Sequence, residues 1–113
     1  MIEEAYCNPE IAELLKEKGM DKECFTHYIQ KNNGDGTSEA ITTCTQQMAM
    51  RWLREAHNIH IDICSIWDIL HWLYQVFVIT PRTARNPYVD KILYTSYEQA
   101  IEAGIKYCLK NLI

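Results

Sequence analysis

Thr43–Ile79 is the stretch that leaves this chain the fewest alternatives. It reads TCTQQMAMRWLREAH, then NIHIDICSIW, then, after one aspartate, ILHWLYQVFVIT: a helical pattern feeding two strand-like runs. In the first part Met48, Ala49, Trp52, Leu53 and Ala56 recur at i, i+1, i+4, i+5 and i+8, which predicts an amphipathic helix with those residues inward. Ile59-His60-Ile61-Asp62-Ile63-Cys64 then alternates strictly, so the isoleucines face one way and His60, Asp62 and Cys64 the other. The next run is apolar on both parities. Leu70, Trp72, Tyr74, Val76 and Val78 share one face, and Leu73, Phe77 and Ile79 share the other with His71 and Gln75. A strand apolar on both sides is covered on both, or meets another subunit. We therefore take Leu70, Trp72, Tyr74 and Val76 as the candidate interface of a homodimer built through the sheet.

The flanks carry local signals. Asn8-Pro9-Glu10 supplies a cap, a proline at the first helical position and an acidic first turn. With Ile11, Leu14 and Leu15 as a stripe and Gly19 as the stop, this predicts a helix over Pro9–Lys18. Cys24–Gln30 reads as a strand, Lys31–Gly36 as a turn and Thr37–Thr42 as a partner strand. Thr43-x-x-Gln46 offers a capping box to the central helix, with Thr45 a competing cap, and Asn58 ends that helix after His57. Pro81–Pro87 reads as a loop and Tyr88–Tyr94 as a third strand of the meander. Ser96-x-x-Gln99 or Thr95-x-x-Glu98 opens a last helix whose inward face runs through Tyr97, Ala100, Ile101, Gly104, Ile105, Cys108 and Leu112. Gly104 in mid-helix costs about 1 kcal/mol against alanine, and a close approach to the sheet would offset it. The expected architecture is one α+β domain spanning 1–113. Its order is helix, hairpin, helix, strands, helix, with an antiparallel sheet of three to five strands and three helices mainly on one face.

Charge and cysteine usage narrow the function classes. The 113 residues carry a net charge of −4, which weighs against a general polyanion binder. A local surface of Arg51, Arg54, Arg82 and Arg85, with Lys91, is the candidate for a nucleic-acid phosphate backbone. Its ordinary reading is a solvated face in which Arg51 and Glu55 form an i,i+4 pair. Five cysteines without a CxxC, and an acidic start (Met1-Ile-Glu-Glu) unlike a secretory leader, lead us to expect free thiols in a reducing cytoplasm. No apolar run reaches the roughly 18–20 residues of a membrane span.

No site chemistry stands out. His57, His60, Cys64 and His71 are acceptable zinc ligands by type, but no close pair of them has zinc spacing. Lys31 and Thr42 occupy the positions where a calcium loop beginning at Lys31 needs carboxylates. The carboxylates Asp62, Asp68, Glu98 and Glu102 have nothing to gather them around a pocket. No catalytic, cofactor-binding or metal-ligating residue is assigned, and a thiol or metal-dependent enzyme around His60, Cys64 and His71 ranks third among the readings.

Two segments also carry a resemblance. Thr45–Ile61 (TQQMAMRWLREAHNIHI), the hairpin after it and Tyr94–Ile113 (YTSYEQAIEAGIKYCLKNLI) resemble small uncharacterised proteins of prophages and mobile elements in gut bacteria. The shared features are a W-L-R-E helix, here Trp52–Glu55, and a Y-x-x-Y-E-x-A-x-E-A-G ending, here Tyr94–Gly104. The likeness covers the chain from about Cys44 onward. It implies a phage or mobile-element accessory protein and brings no activity, cofactor or site residue with it. The expected function is thus a non-enzymatic protein-interaction module, binding itself or another protein.

Overall fold

The fold is that of a computed structural model, which describes residues 5–66, 71–79, 84–89 and 92–113, with backbone alone for 66 and 84–89. Its central helix begins at Thr45, the second of the two competing caps. The Thr45 hydroxyl accepts from the Met48 N–H at 3.1 Å, and α2 runs over Gln46–His57. Thr43 is buried instead, and its hydroxyl donates to the Cys7 carbonyl at 2.7 Å. Asn58 closes α2 in the left-handed conformation, φ 57° and ψ 33°, which an asparagine tolerates better than most residues.

α2 is rotated from its expected setting. Gln46, Ala49, Met50 and Leu53 are its buried face, while Met48 and Ala56 are exposed and Trp52 is half-buried against the core. Gln46 can be inside because its amide donates to the Glu98 carbonyl at 3.1 Å, so burial leaves no polar atom unpaired. Hydrophobicity alone ranks Trp52 above Gln46. The satisfied amide reverses that order.

The other helices form where expected. α1 spans Pro9–Glu17, with the Asn8 side chain accepting from the Ile11 N–H at 2.9 Å. α3 spans Tyr97–Asn111, with Ser96 Oγ accepting from the Gln99 N–H at 3.1 Å. The Gln99 side chain reaches back to accept from the Thr95 hydroxyl at 2.7 Å. α3 buries Ala100, Ile101, Gly104, Ile105, Cys108 and Leu109.

The strands divide into two antiparallel sheets rather than the single sheet expected. β1 (His27–Asn32) and β2 (Ser38–Thr43) form a hairpin that starts later than predicted, because a short 3₁₀ turn occupies Lys22–Cys24. β1 is largely exposed, and α1 holds both strands: Glu13 bonds Lys31 on β1, and Lys16 donates to the Thr42 carbonyl on β2 at 2.8 Å. β3 (Ile59–Ile66), β4 (His71–Ile79) and β5 (Ala84–Val89) form the second sheet in that order. β5 lies earlier in the chain than the predicted Tyr88–Tyr94. It carries one extra residue in the register between Val76 and Val78, in the stretch holding Asn86 and Pro87. Tyr94 instead pairs with Trp72, through N–H to carbonyl bonds of 2.9 and 2.7 Å.

α2 and α3 pack on the same face of this sheet. Gly104 lies close against the sheet. A β-carbon there would stand 3.0 Å from Ile61 Cγ2 and 3.3 Å from the Tyr74 ring. α1 is tied to α3 by Lys106 and Lys110, which reach Glu10 at 3.2 and 3.1 Å and hold its carboxyl below the ordinary range.

Candidate functional site

The face of β4 beneath α3 is the one that was assigned to a dimer. Tyr74 and Val76 are 3% and 0% exposed, which removes both from any such interface. They belong to the core with Ile59 and Ile61, since the register sets Val76 opposite Ile61 and Tyr74 opposite Ile63. Trp72 is half-buried and meets Tyr97 edge-on at 5.4 Å. Leu70 lies outside the described residues. The parity was correct and the side was inverted. Directly opposed residues of an antiparallel pair share a face, so the isoleucine row of β3 draws Tyr74, Val76 and Val78 inward with it.

The opposite face is therefore the one that α2 and α3 leave open. It carries His60, Asp62 and Cys64 from β3 and Leu73, Gln75, Phe77 and Ile79 from β4. Leu73 and Phe77 are half-buried and Ile79 is 47% exposed. The His60 and Phe77 rings are 6.4 Å apart. The polar residues between them bond to one another. The Gln75 amide donates to Cys64 Sγ at 3.0 Å, and the Cys64 thiol donates to the Asp62 carboxylate at 3.5 Å.

That register separates the residues grouped as zinc ligands or a thiol site. His60 faces Phe77 while His71 faces Ile66, six residues along the same strand. The two histidines are thus roughly 20 Å apart by strand rise. His57 lies on α2 with its ring edge-on to Trp52 at 4.7 Å. Among the described residues no three His, Cys, Asp or Glu side chains gather where an ion could be held.

The arginines are also dispersed. Arg51 and Arg54 are exposed on α2, and Arg51 reaches Glu55 at 3.1 Å. Arg85 lies on β5 opposite Val78, and β5 is separated from α2's strand β3 by β4. Arg82 and Lys91 lie outside the described residues.

Concave regions among the described residues escaped the sequence reading, two of them beside α1. A cleft of about 680 Å³ opens between the end of α1 and the hairpin, lined by Lys16, Met20, Lys22, Phe25 and Thr42. Lys16 Nζ sits 5.1 Å above the Phe25 ring centre there. A smaller hollow of about 410 Å³ lies where α3 meets the start of α1. In it Glu102 accepts from the Asn8 N–H at 3.3 Å, and burial raises its carboxyl pKa. Both depend on contacts between segments far apart in the chain, which periodicity does not reveal.

No protein-family model, curated protein or solved structure matches the chain. No described helix is long and apolar enough to cross a membrane.

Proposed function

We propose that this protein is a cytoplasmic, non-enzymatic interaction module of a phage or mobile element, which self-associates as a homodimer through the open face of β3–β4–β5. The observation that carries this reading is the row Leu73, Phe77 and Ile79, turned away from the helices on a strand whose other side is already filled. Scattered exposed apolar residues are ordinary, whereas a row aligned on one strand face supports a reading as a contact surface. Gln75, Cys64 and Asp62 bond in sequence within the face, and a partner covering it leaves those bonds intact. The W-L-R-E helix and the Tyr94–Gly104 ending support the mobile-element origin.

Light scattering across a concentration series tests the proposal, with Phe77→Lys as the variant. A dimer that becomes a folded monomer on that substitution supports it. A wild type that stays monomeric at every concentration sinks self-association. The rival reading uses Arg51 and Arg54 on the exposed side of α2. It requires an affinity for DNA or RNA that falls steeply with salt and is lost on reversing those charges.

A further inference from the structure

Residues 5–7 lie alongside the junction of β2 and α2. Tyr6 and Thr45 form an antiparallel bridge, flanked by the Cys7 N–H donating to the Cys44 carbonyl at 2.9 Å and the Gln46 N–H donating to the Ala5 carbonyl at 2.9 Å. A register that sets Tyr6 opposite Thr45 sets Cys7 opposite Cys44. Opposed residues project their side chains to the same side. Directly opposed antiparallel residues have α-carbons about 4.5–5.5 Å apart, inside the window of roughly 4.4–6.8 Å that a disulfide spans. Both cysteines are 1% exposed, and the Cys7 thiol donates to the Thr45 carbonyl at 3.9 Å. The neighbouring Cys7 thiol and the Lys16 charge favour the Cys44 thiolate, so Cys44 opens the exchange.

We infer that Cys7 and Cys44 form a dithiol redox site that closes to an intramolecular disulfide by exchange with a small oxidised disulfide of the glutathione class. The Cys44 thiolate attacks one sulfur of the oxidant. The oxidant's S–S bond breaks, one glutathione thiolate leaves, and a mixed disulfide remains on Cys44. Cys7 then loses its proton and attacks the Cys44 sulfur, which forms the internal S–S bond and expels the second glutathione. The two thiol protons end on the two leaving thiolates, so the protein loses two electrons and the oxidant gains them. Exchange proceeds through release of residues 5–7, a segment fastened to the junction by the two backbone bonds above and by Thr43 Oγ1 donating to the Cys7 carbonyl at 2.7 Å. The closed form joins the residue before the α1 cap to the end of β2. It thereby fixes the spacing of α1 and β2, whose Lys16 and Thr42 line the larger cleft.

The test is to incubate the folded chain with oxidised glutathione until its mass stops changing, then denature, alkylate and count thiols by mass spectrometry. We expect alkylatable thiols to fall from five to three, with the Cys7 and Cys44 peptides recovered as one linked pair and all five thiols restored by reductant. Cys7→Ala, checked for folding by circular dichroism, should form no internal disulfide and should instead keep glutathione on Cys44. Five alkylatable thiols after the incubation, or a linked pair other than Cys7–Cys44, would overturn the inference.

Discussion

Gly104→Ala sets two opposing effects against each other at one atom. Alanine is about 1 kcal/mol better than glycine inside a helix. Its β-carbon, however, would stand 3.0 Å from Ile61 Cγ2 and 3.3 Å from the Tyr74 ring. Neither neighbour yields easily. Ile61 is β-branched on β3 and 2% exposed, and the Tyr74 ring lies 6.2 Å from that of Tyr94 and 6.4 Å from that of Tyr107. Overpacking a well-filled core typically costs about 1–3 kcal/mol. The steric cost should win, leaving Gly104→Ala less stable by about 1 kcal/mol in urea denaturation followed by tryptophan fluorescence. Ile61→Ala removes the clashing methyl at its own cost of about 2–5 kcal/mol. In that background Gly104→Ala should change sign and stabilise by up to about 1 kcal/mol. A stabilising effect in the wild-type background, or additivity of the two substitutions within about 0.5 kcal/mol, would refute the reasoning.

The remaining predictions are local. Thr45→Ala should cost about 1 kcal/mol through loss of the α2 cap, measured by the same urea midpoint; an unchanged midpoint would remove Thr45 from that role. Asn58→Ala should cost about 1–2 kcal/mol because a β-carbon without a local polar partner is strained at φ 57°, whereas Asn58→Gly should fall within a few tenths of the wild type. Glu102 has a raised folded pKa, so the folded state holds its proton more tightly than the unfolded chain does and stability declines as pH rises through that range. Glu102→Gln should therefore match or exceed wild-type stability at pH 7 and lose that advantage as the pH falls towards the ordinary carboxyl value of 4.5; thermal unfolding across the range checks the sign. Burial pushes the Cys108 thiol up to about 12, so in native alkylation it should react far more slowly than the half-exposed Cys24.

Local chemistry explains why the helix ends were readable. Asn8-Pro9, Ser96 and Asn58 act through partners no more than five residues away, and each does what its residue type implies. Gly104 was legible for a related reason: an uncompensated glycine in a helix requires a neighbour too close for a side chain. The third strand was harder. Tyr88–Tyr94 has the higher β-propensity, yet the chain pairs through Ala84–Val89, which contains Pro87. Proline is tolerated there because β5 hydrogen-bonds to β4 alone, and an edge strand accommodates a missing donor.

The candidate site failed at a single step, and the cause is specific. β4 is apolar on both parities, so composition along that strand cannot say which row meets the helices. The information lay across the hairpin. β3 is apolar on one parity only, and antiparallel pairing forces the row opposite Ile59, Ile61 and Ile63 to the same side. Reading β3 and β4 as a pair places Tyr74 and Val76 inside and Phe77 and Ile79 outside once the register is known. That register depends on the connection between Ile66 and His71, which a one-residue slip would invert. The Cys7–Cys44 pairing is of the opposite kind. It joins positions 37 apart through a single bridge at Tyr6 and Thr45, and no periodicity in either segment encodes it. Signals confined to one element, or shared by two strands of one hairpin, are thus present in the chain's pattern. Contacts between distant segments, which include the proposed redox pair and the cleft beside it, arise only when α1 docks on the hairpin.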